Sequence, residues 1–218
     1  MDWHIVQTGL AGALGADIFA RSNARRVAII GAGTQGRTQL NGLRMVRDIA
    51  VVRVFDRIPT VARAFAADYA AAGLDCKASD SVDAAVEDAD IIVASTWART
   101  PFLFARHIRP GMHISSFGPD QPGKCEVAAE VLLGARTVVD DRNLAVEMGV
   151  IGGAGLDAST IVGELGEVID GLVPGRQNTE DVTVFGSVGL AFQDLAAAWL
   201  AYQKAVAASV GQVWKALN

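Results

Sequence analysis

Short runs of β-branched and aliphatic residues alternate along the chain with longer stretches in which apolar positions recur every three or four residues. The runs are Val27–Ile30, Val51–Phe55, Ile91–Ala94, Met112–Ser116 and Thr137–Val139, each bounded by Gly, Pro, Asp or Ser. They read as strands. Between them the spacing predicts helices over 34–47, 59–72, 81–87, 124–133 and 141–148, with Pro59 placed to open the second. This alternation predicts an α/β fold, a Rossmann-like doubly wound parallel sheet with right-handed crossovers.

Two further helices flank that core. Residues 5–21 place Val6, Leu10, Leu14 and Ile18 at steps of four, one apolar stripe on a helix ending near Arg21, Ser22 and Asn23. From Ser187 onward, Val188, Phe192, Leu195, Trp199, Tyr202 and Val206 alternate steps of four and three, a wide apolar seam. The expectation is that this seam packs on the domain's own core, with a subunit interface as the second reading. The organisation is then a leading helix over 1–22, a nucleotide-binding domain over 23–186 and a C-terminal amphipathic helix over 187–218, with a linker-like stretch at Gly149–Ser159.

Composition removes several function classes. With 218 residues and 51% hydrophobic content the chain can bury the core of one domain. A net charge of −5 leaves no basic field for nucleic acid. No apolar run reaches the roughly 18 residues that a membrane span requires, and the N-terminus lacks a cationic start, so a cytoplasmic protein is expected. Cys76 and Cys125 have no metal-like or redox-like spacing and read as free thiols. His4, His107 and His113 are too scattered to build a zinc site or a Ser-His-Asp arrangement, so no metal is expected.

The chemistry begins at Gly31-Ala32-Gly33-Thr34-Gln35-Gly36, which follows the first strand and opens a helix. Each glycine has its own reason: a tight turn at Gly31, backbone approach to a pyrophosphate at Gly33, close helix–strand packing at Gly36. Free N–H groups at the helix start, with Thr34 and Gln35, would hold the phosphates. Asp56 closes the next strand twenty positions after Gly36, where a carboxylate accepts the adenosine ribose hydroxyls and repels a 2′-phosphate. Arg57 beside it could instead pair with that phosphate. The balance favours NAD(H) over NADP(H). The competing reading has Asp56 merely starting the turn before Pro59.

Asp120 lies between Pro119 and Pro122, after the strand at Met112–Ser116. It reads either as a turn residue or, at the carboxyl edge of a parallel sheet, as a general acid or base.

Four segments together resemble the ornithine cyclodeaminase/mu-crystallin family: GAGTQG at 31–36, PGKCE at 122–126, GELGEVIDGLVPGR at 163–176 and TVFGSVGLAFQDLA at 183–196. The resemblance runs from about residue 5 to residue 205, and the last two segments are its most specific part. It implies NAD(H)-dependent hydride transfer at the Cα of a small amino or imino acid, by an enzyme of cyclodeaminase, amino-acid dehydrogenase or imine reductase type. It assigns Asp120, two residues before Pro122, to proton handling at the substrate nitrogen or attacking water. It places Ser95, Thr96 and Arg99 at the cofactor's border, Asp140 near the adenine and nicotinamide halves, and Ser187, Val188 and Gly189 at the carboxamide. Asp141 can also simply cap the following helix. Lys124 could counter a carboxylate or close its own turn, and Cys125, with no base to pair with, reads as packing.

Two departures limit the likeness. The family opens with a strand-rich lobe that grips the substrate carboxylate and builds a dimer, and this sequence shows no match to it. Where the family carries an arginine before a threonine in its first helix, this chain has Gln7 before Thr8, a neutral amide in place of a cationic fork. The readings are an enzyme whose lobe a second polypeptide supplies, a non-catalytic NAD(H)-binding sensor or structural subunit, and a start displaced from that of a longer protein. A homodimer through the tail helix is a further expectation.

Overall fold

The computed structural model describes residues 3–212, with side-chain surroundings from residue 7 onward. The chain opens with helix α1 (Trp3–Phe19) and enters a parallel sheet through strand β1 (Arg26–Ile30). It continues through α2 (Thr34–Val46), β2 (Val51–Phe55), α3 (Pro59–Ala71), β3 (Asp75–Ala78), α4 (Val82–Val86), β4 (Ile91–Ala94) and β5 (His113–Ser116). The second half adds α5 (Ala129–Leu133), β6 (Arg136–Val139), α6 (Arg142–Glu147), α7 (Val150–Gly153), β7 (Ile161–Glu164), α8 (Leu165–Ile169), β8 (Thr183–Gly186) and α9 (Ala191–Ala207). All eight strands pair in parallel in the order β3-β2-β1-β4-β5-β8-β6-β7. The order reverses between β1 and β4, the crevice where open α/β sheets bind ligands.

Alternate residues of each central strand feed opposite cores. Val27 and Ile29 of β1 join Phe19, Leu40, Leu43 and Phe65 on one face, while Ala28 and Ile30 join Val86, Leu132 and Ile151 on the other. Burial on both faces explains why β1 and β4 are so apolar. Three strands are absent from the sequence reading. Edge strand β3 buries only Cys76, β7 includes Gly163, and β8, though central, has four residues and ends in glycine. Residues 124–128 of the helix predicted over 124–133 are buried but not helical, and helix begins only at Ala129. The linker-like stretch contains α7.

The stripe predicted on the first helix is only partly buried: Ile18 packs against the core, but the middle of the stripe faces outward. Leu10 and Leu14 are 46% and 43% exposed, while Gly9, Gly12, Ala13, Gly15 and Ala16 face inward. Val6 and His4 lie outside the residues whose surroundings are described. A Cβ on Gly9 would stand 2.8 Å from the Thr38 carbonyl oxygen, and one on Gly42 of α2 would stand 2.5 Å from that of Gly9. The two helices therefore meet backbone to backbone, an approach only small residues permit. The tail seam is likewise uncovered: Phe192, Leu195, Trp199, Tyr202 and Val206 are all more than half exposed, and no residue of α9 is buried. Burial on the domain's own core is corrected by this arrangement: α9 packs chiefly along α1 and turns its apolar seam outward.

Candidate functional site

The loops at the carboxyl edge of β1, β2, β4, β5, β6 and β8 gather most of the residues singled out in the sequence. Gly31 leaves β1 at φ +100°, a left-handed conformation suited to glycine, and its N–H donates to the Phe55 carbonyl at 2.9 Å. A Cβ on Gly31 would lie 2.5 Å from the Ser95 carbonyl oxygen, and one on Gly36 would lie 2.1 Å from that of Gly31. Position 33 is different. No heavy atom lies within 4 Å of where its Cβ would be, and as N-cap of α2 it brings no side chain to the helix terminus. The first-turn N–H groups, those of Thr34, Gln35 and Gly36, have no intrahelical acceptor. An open cradle with orphan donors at the positive end of a 13-residue helix suits a pyrophosphate.

Asp56 serves the loop and the turn at once. One carboxylate oxygen accepts from Ala32 N and the other from Ile58 N, both at 2.9 Å. Loop, carboxylate and the start of α3 at Pro59 are thus held as a unit. Arg57 is exposed and makes no hydrogen bond or ion pair among the described residues.

The exits of β4 and β5 lie side by side. Ser95 Oγ reaches the Gly31 carbonyl at 3.4 Å, and Cys125 N donates to the Ala98 carbonyl at 2.9 Å. Asp120, with its side chain 45% exposed, pairs through Oδ1 with the Lys124 ammonium, itself almost wholly buried. Lys124 Nζ also stands 3.7 Å from the centre of the Trp97 ring, a cation–π contact in a desolvated position. Lys124 therefore closes its own turn onto Asp120, and Arg99 lies beside that turn at Gly123. Cys125 is buried, which pushes its thiol up, away from thiolate chemistry.

Between these loops sits a residue that sequence reasoning did not single out. Glu126 is fully buried, with Oε1 accepting from Thr96 N at 2.6 Å and Thr96 Oγ1 at 2.8 Å. Its Oε2 accepts from Ser116 Oγ at 2.7 Å and Gly118 N at 3.1 Å. Burial pushes this carboxyl above the usual range, while the hydrogen bonds from Ser116, Thr96 and Gly118 pull the other way. The available signal was an acid inside the otherwise apolar Cys125–Ala129 run.

Asp140, after β6, plays the same part for the last loop. Its Oδ2 accepts from Ser187 Oγ at 2.9 Å, Val188 N at 3.0 Å and Gly189 N at 2.7 Å. Asp141 caps α6 through Leu144 N. Gln7, predicted weakly for substrate, is buried, and its amide donates to the Gln193 side chain on α9. Among the described residues no group of three or more His, Cys, Asp and Glu could hold a metal ion.

The 163–176 motif segment is mostly structural. Glu167 takes the Arg142 guanidinium at 2.7 Å and Glu164 N at 2.8 Å, and Glu164 accepts from Arg142 N at 2.9 Å. Arg176 lies at the opposite, amino edge of the sheet, where it donates to the carbonyls of Phe19, Gly111, Met112 and Asp181.

Comparison with known proteins agrees with this fold. Residues 4–209 match the model of the ornithine cyclodeaminase/mu-crystallin family. An alanine dehydrogenase from Archaeoglobus fulgidus is 37% identical over 94% of this chain and 65% of its own length. A solved archaeal alanine dehydrogenase dimer with bound NAD superimposes with a TM-score of 0.90 at 36% identity, covering 95% of this chain and 66% of that one. Thermococcus litoralis Δ1-pyrroline-2-carboxylate reductase, in complex with NADH and L-proline, gives 0.89 at 33% identity over 95% and 66%. The chain thus spans about 65% of the length of the first of these relatives. No helix among the described residues is long and apolar enough to cross a membrane.

Proposed function

This chain belongs to the ornithine cyclodeaminase/mu-crystallin family, and on that premise we propose that it carries the cofactor half and the proton-handling carboxylate of an NAD(H)-dependent oxidoreductase acting at the Cα of a small amino or imino acid. The observation that carries the reading is the convergence, at one sheet edge, of the open Gly33 cradle, Asp56 and the Asp120–Lys124 pair. The nicotinamide, when bound, supplies or accepts the hydride. The chain's residues do the rest. The α2 terminus and Gly33 hold the pyrophosphate, Asp56 receives the adenosine ribose, and Ser187 and Gly189, set by Asp140, line the carboxamide side.

Asp120 moves the proton. Pinned through Oδ1 by Lys124, it keeps Oδ2 without a partner among the described residues, ready to take a proton from, or return it to, the substrate nitrogen. Asp56 supports NAD(H) over NADP(H), since a 2′-phosphate would meet a carboxylate already fixed by two N–H groups. In this reading substrate orientation falls to protein outside residues 1–218, on the same or a second polypeptide, and the assembly works in the cytoplasm. The exposed α9 seam supports self-association, and one relative is described as a dimer. A second reading, binding without turnover, draws on Gln7, whose amide is committed to Gln193.

The test is NADH titration, native mass measurement with NADH present, and NADH-linked turnover over a panel of amino and imino acids, for wild type and Asp120→Asn. Turnover that falls about a hundredfold or more in the variant, with NADH affinity retained, is expected. Tight NADH binding with no turnover on any panel member supports the second reading, and failure to bind either nucleotide overturns both.

A further inference from the structure

Beyond the assigned residues, one buried group joins the cofactor side of the crevice to the proton-handling side. We infer that Glu126 is a positioning residue that fixes Asp120 relative to the glycine loop. This rests on the reading that Asp120 handles protons.

The geometry runs through two short tethers. One Glu126 oxygen takes both donors of Thr96, whose neighbour Ser95 abuts Gly31. The other takes Gly118 N, two residues before Asp120, together with Ser116 Oγ at the end of β5. The Glu126 carbonyl also accepts from Phe102 N and Leu103 N, both at 3.0 Å, so the residue's own backbone is anchored. Space leaves little tolerance. A Cβ on Gly118 would stand 2.2 Å from Glu126 Oε1 and 2.4 Å from the Thr96 carbonyl oxygen. The β5 exit is pressed onto the carboxylate, so the position of Gly118, and with it Asp120, is set by where Glu126 holds Thr96.

The chemistry requires an acceptor on both sides. The two hydroxyl donors can reverse direction, but the N–H groups of Thr96 and Gly118 cannot. Glutamine keeps the volume yet presents an amide N–H to one of these N–H groups, whichever way it is turned. Aspartate is one methylene too short to serve both loops. Loss of either tether frees the Asp120 turn to drift, and displacements of about an ångström at a reacting group cost on the order of a hundredfold.

The experiment compares wild type, Glu126→Gln, Glu126→Asp, Asp120→Asn and the Glu126→Gln/Asp120→Asn double variant. Two readouts are needed: steady-state kinetics, and amide hydrogen exchange at Thr96 and Gly118. In Glu126→Gln, kcat should fall about tenfold to a hundredfold with KM for NADH within about threefold, and exchange at Gly118 or Thr96 should quicken about tenfold while sheet amides hold. In the Asp120→Asn background the same substitution should cost less than about twofold, because the effect passes through Asp120. Additive losses, or unchanged exchange with wild-type kcat, overturn the inference. If Glu126→Gln does not fold, Glu126→Asp carries the test. It keeps the charge but is one methylene too short to serve both loops, so quicker exchange at Gly118 or Thr96 supports the tether while unchanged exchange at both overturns it. Absent turnover in wild type would fail the proposed function, yet the exchange readout would still decide whether Glu126 ties the two loops.

Discussion

Arg176→Met tests whether the VPGR segment holds the fold rather than the cofactor. The guanidinium donates to Phe19 O at 2.7 Å, Asp181 O at 2.5 Å, Gly111 O at 3.1 Å and Met112 O at 3.2 Å. After removal, Phe19 O keeps Thr183 Oγ1 and Met112 O keeps Thr183 N, each at 3.1 Å. Gly111 O and Asp181 O are left without a hydrogen-bond donor among the described residues. Two charge-assisted bonds to partly or fully buried carbonyls are each worth about 1.5–3 kcal/mol, and partial access of water trims the sum to about 3 kcal/mol. For a domain of this size that lowers Tm by about 6–12 °C. Calorimetry or thermal circular dichroism reads the shift, and an NADH titration at a temperature where the variant is fully folded, at least about 15 °C below its own Tm, reads the site. Lysine, lacking the planar fork, should restore less than half of the loss. A Tm within about 2 °C of wild type, or weakened NADH binding in the fully folded variant, would refute the reasoning.

Three further outcomes follow from other parts of the molecule. Gly36→Ala puts a Cβ 2.1 Å from the Gly31 carbonyl oxygen, and NADH affinity should fall at least about tenfold by fluorescence titration; equal affinity would remove Gly36 from the cradle. Burial raises the Glu126 carboxyl above the ordinary value near 4.5, so its contribution to stability is present at low pH and is lost as pH rises through the raised value. His113 works in the opposite sense: burial holds it at about 3 against an ordinary 6.5, so its contribution is lost as pH falls between those values. The wild-type minus Glu126→Gln difference in denaturant stability should therefore decline with rising pH, and a flat difference would contradict the burial argument. Leu195→Glu on the exposed α9 seam should leave Tm within about 2 °C and reduce self-association by native mass; a large loss of Tm would mean the seam is covered within the monomer.

Legibility in the sequence followed the range of the interactions. Strands β2 and β4 appear with the predicted bounds, β4 because burial on both faces writes itself into consecutive residues and β2 because its buried positions alternate. The Gly31–Gly36 loop is local, and its glycines could be assigned from spacing alone. Glu126 and Asp140 act across 30 and 47 residues of sequence, and nothing near either residue announces the partner. Asp120 was ambiguous by itself, and only the likeness of the surrounding PGKCE segment raised it above a turn residue. On α1 the periodic leucines drew attention from the glycines, although the glycine face is the one that packs. Apolar spacing reports a stripe but not which side of a small-residue helix meets its neighbour.

The glycine contact between α1 and α2 has a mechanical result. Side-chain layers between helices absorb small shifts by changing rotamer, and here no such layer exists between Gly9 and Gly42. At that contact a shift of either helix has no rotamer change to absorb it, and α1 is in turn tied to the root of α9 by the hydrogen bond from Gln7 to Gln193. The helix that carries the exposed aromatic seam is thus joined to the helix that opens at the phosphate loop by two links, one glycine contact and one amide hydrogen bond.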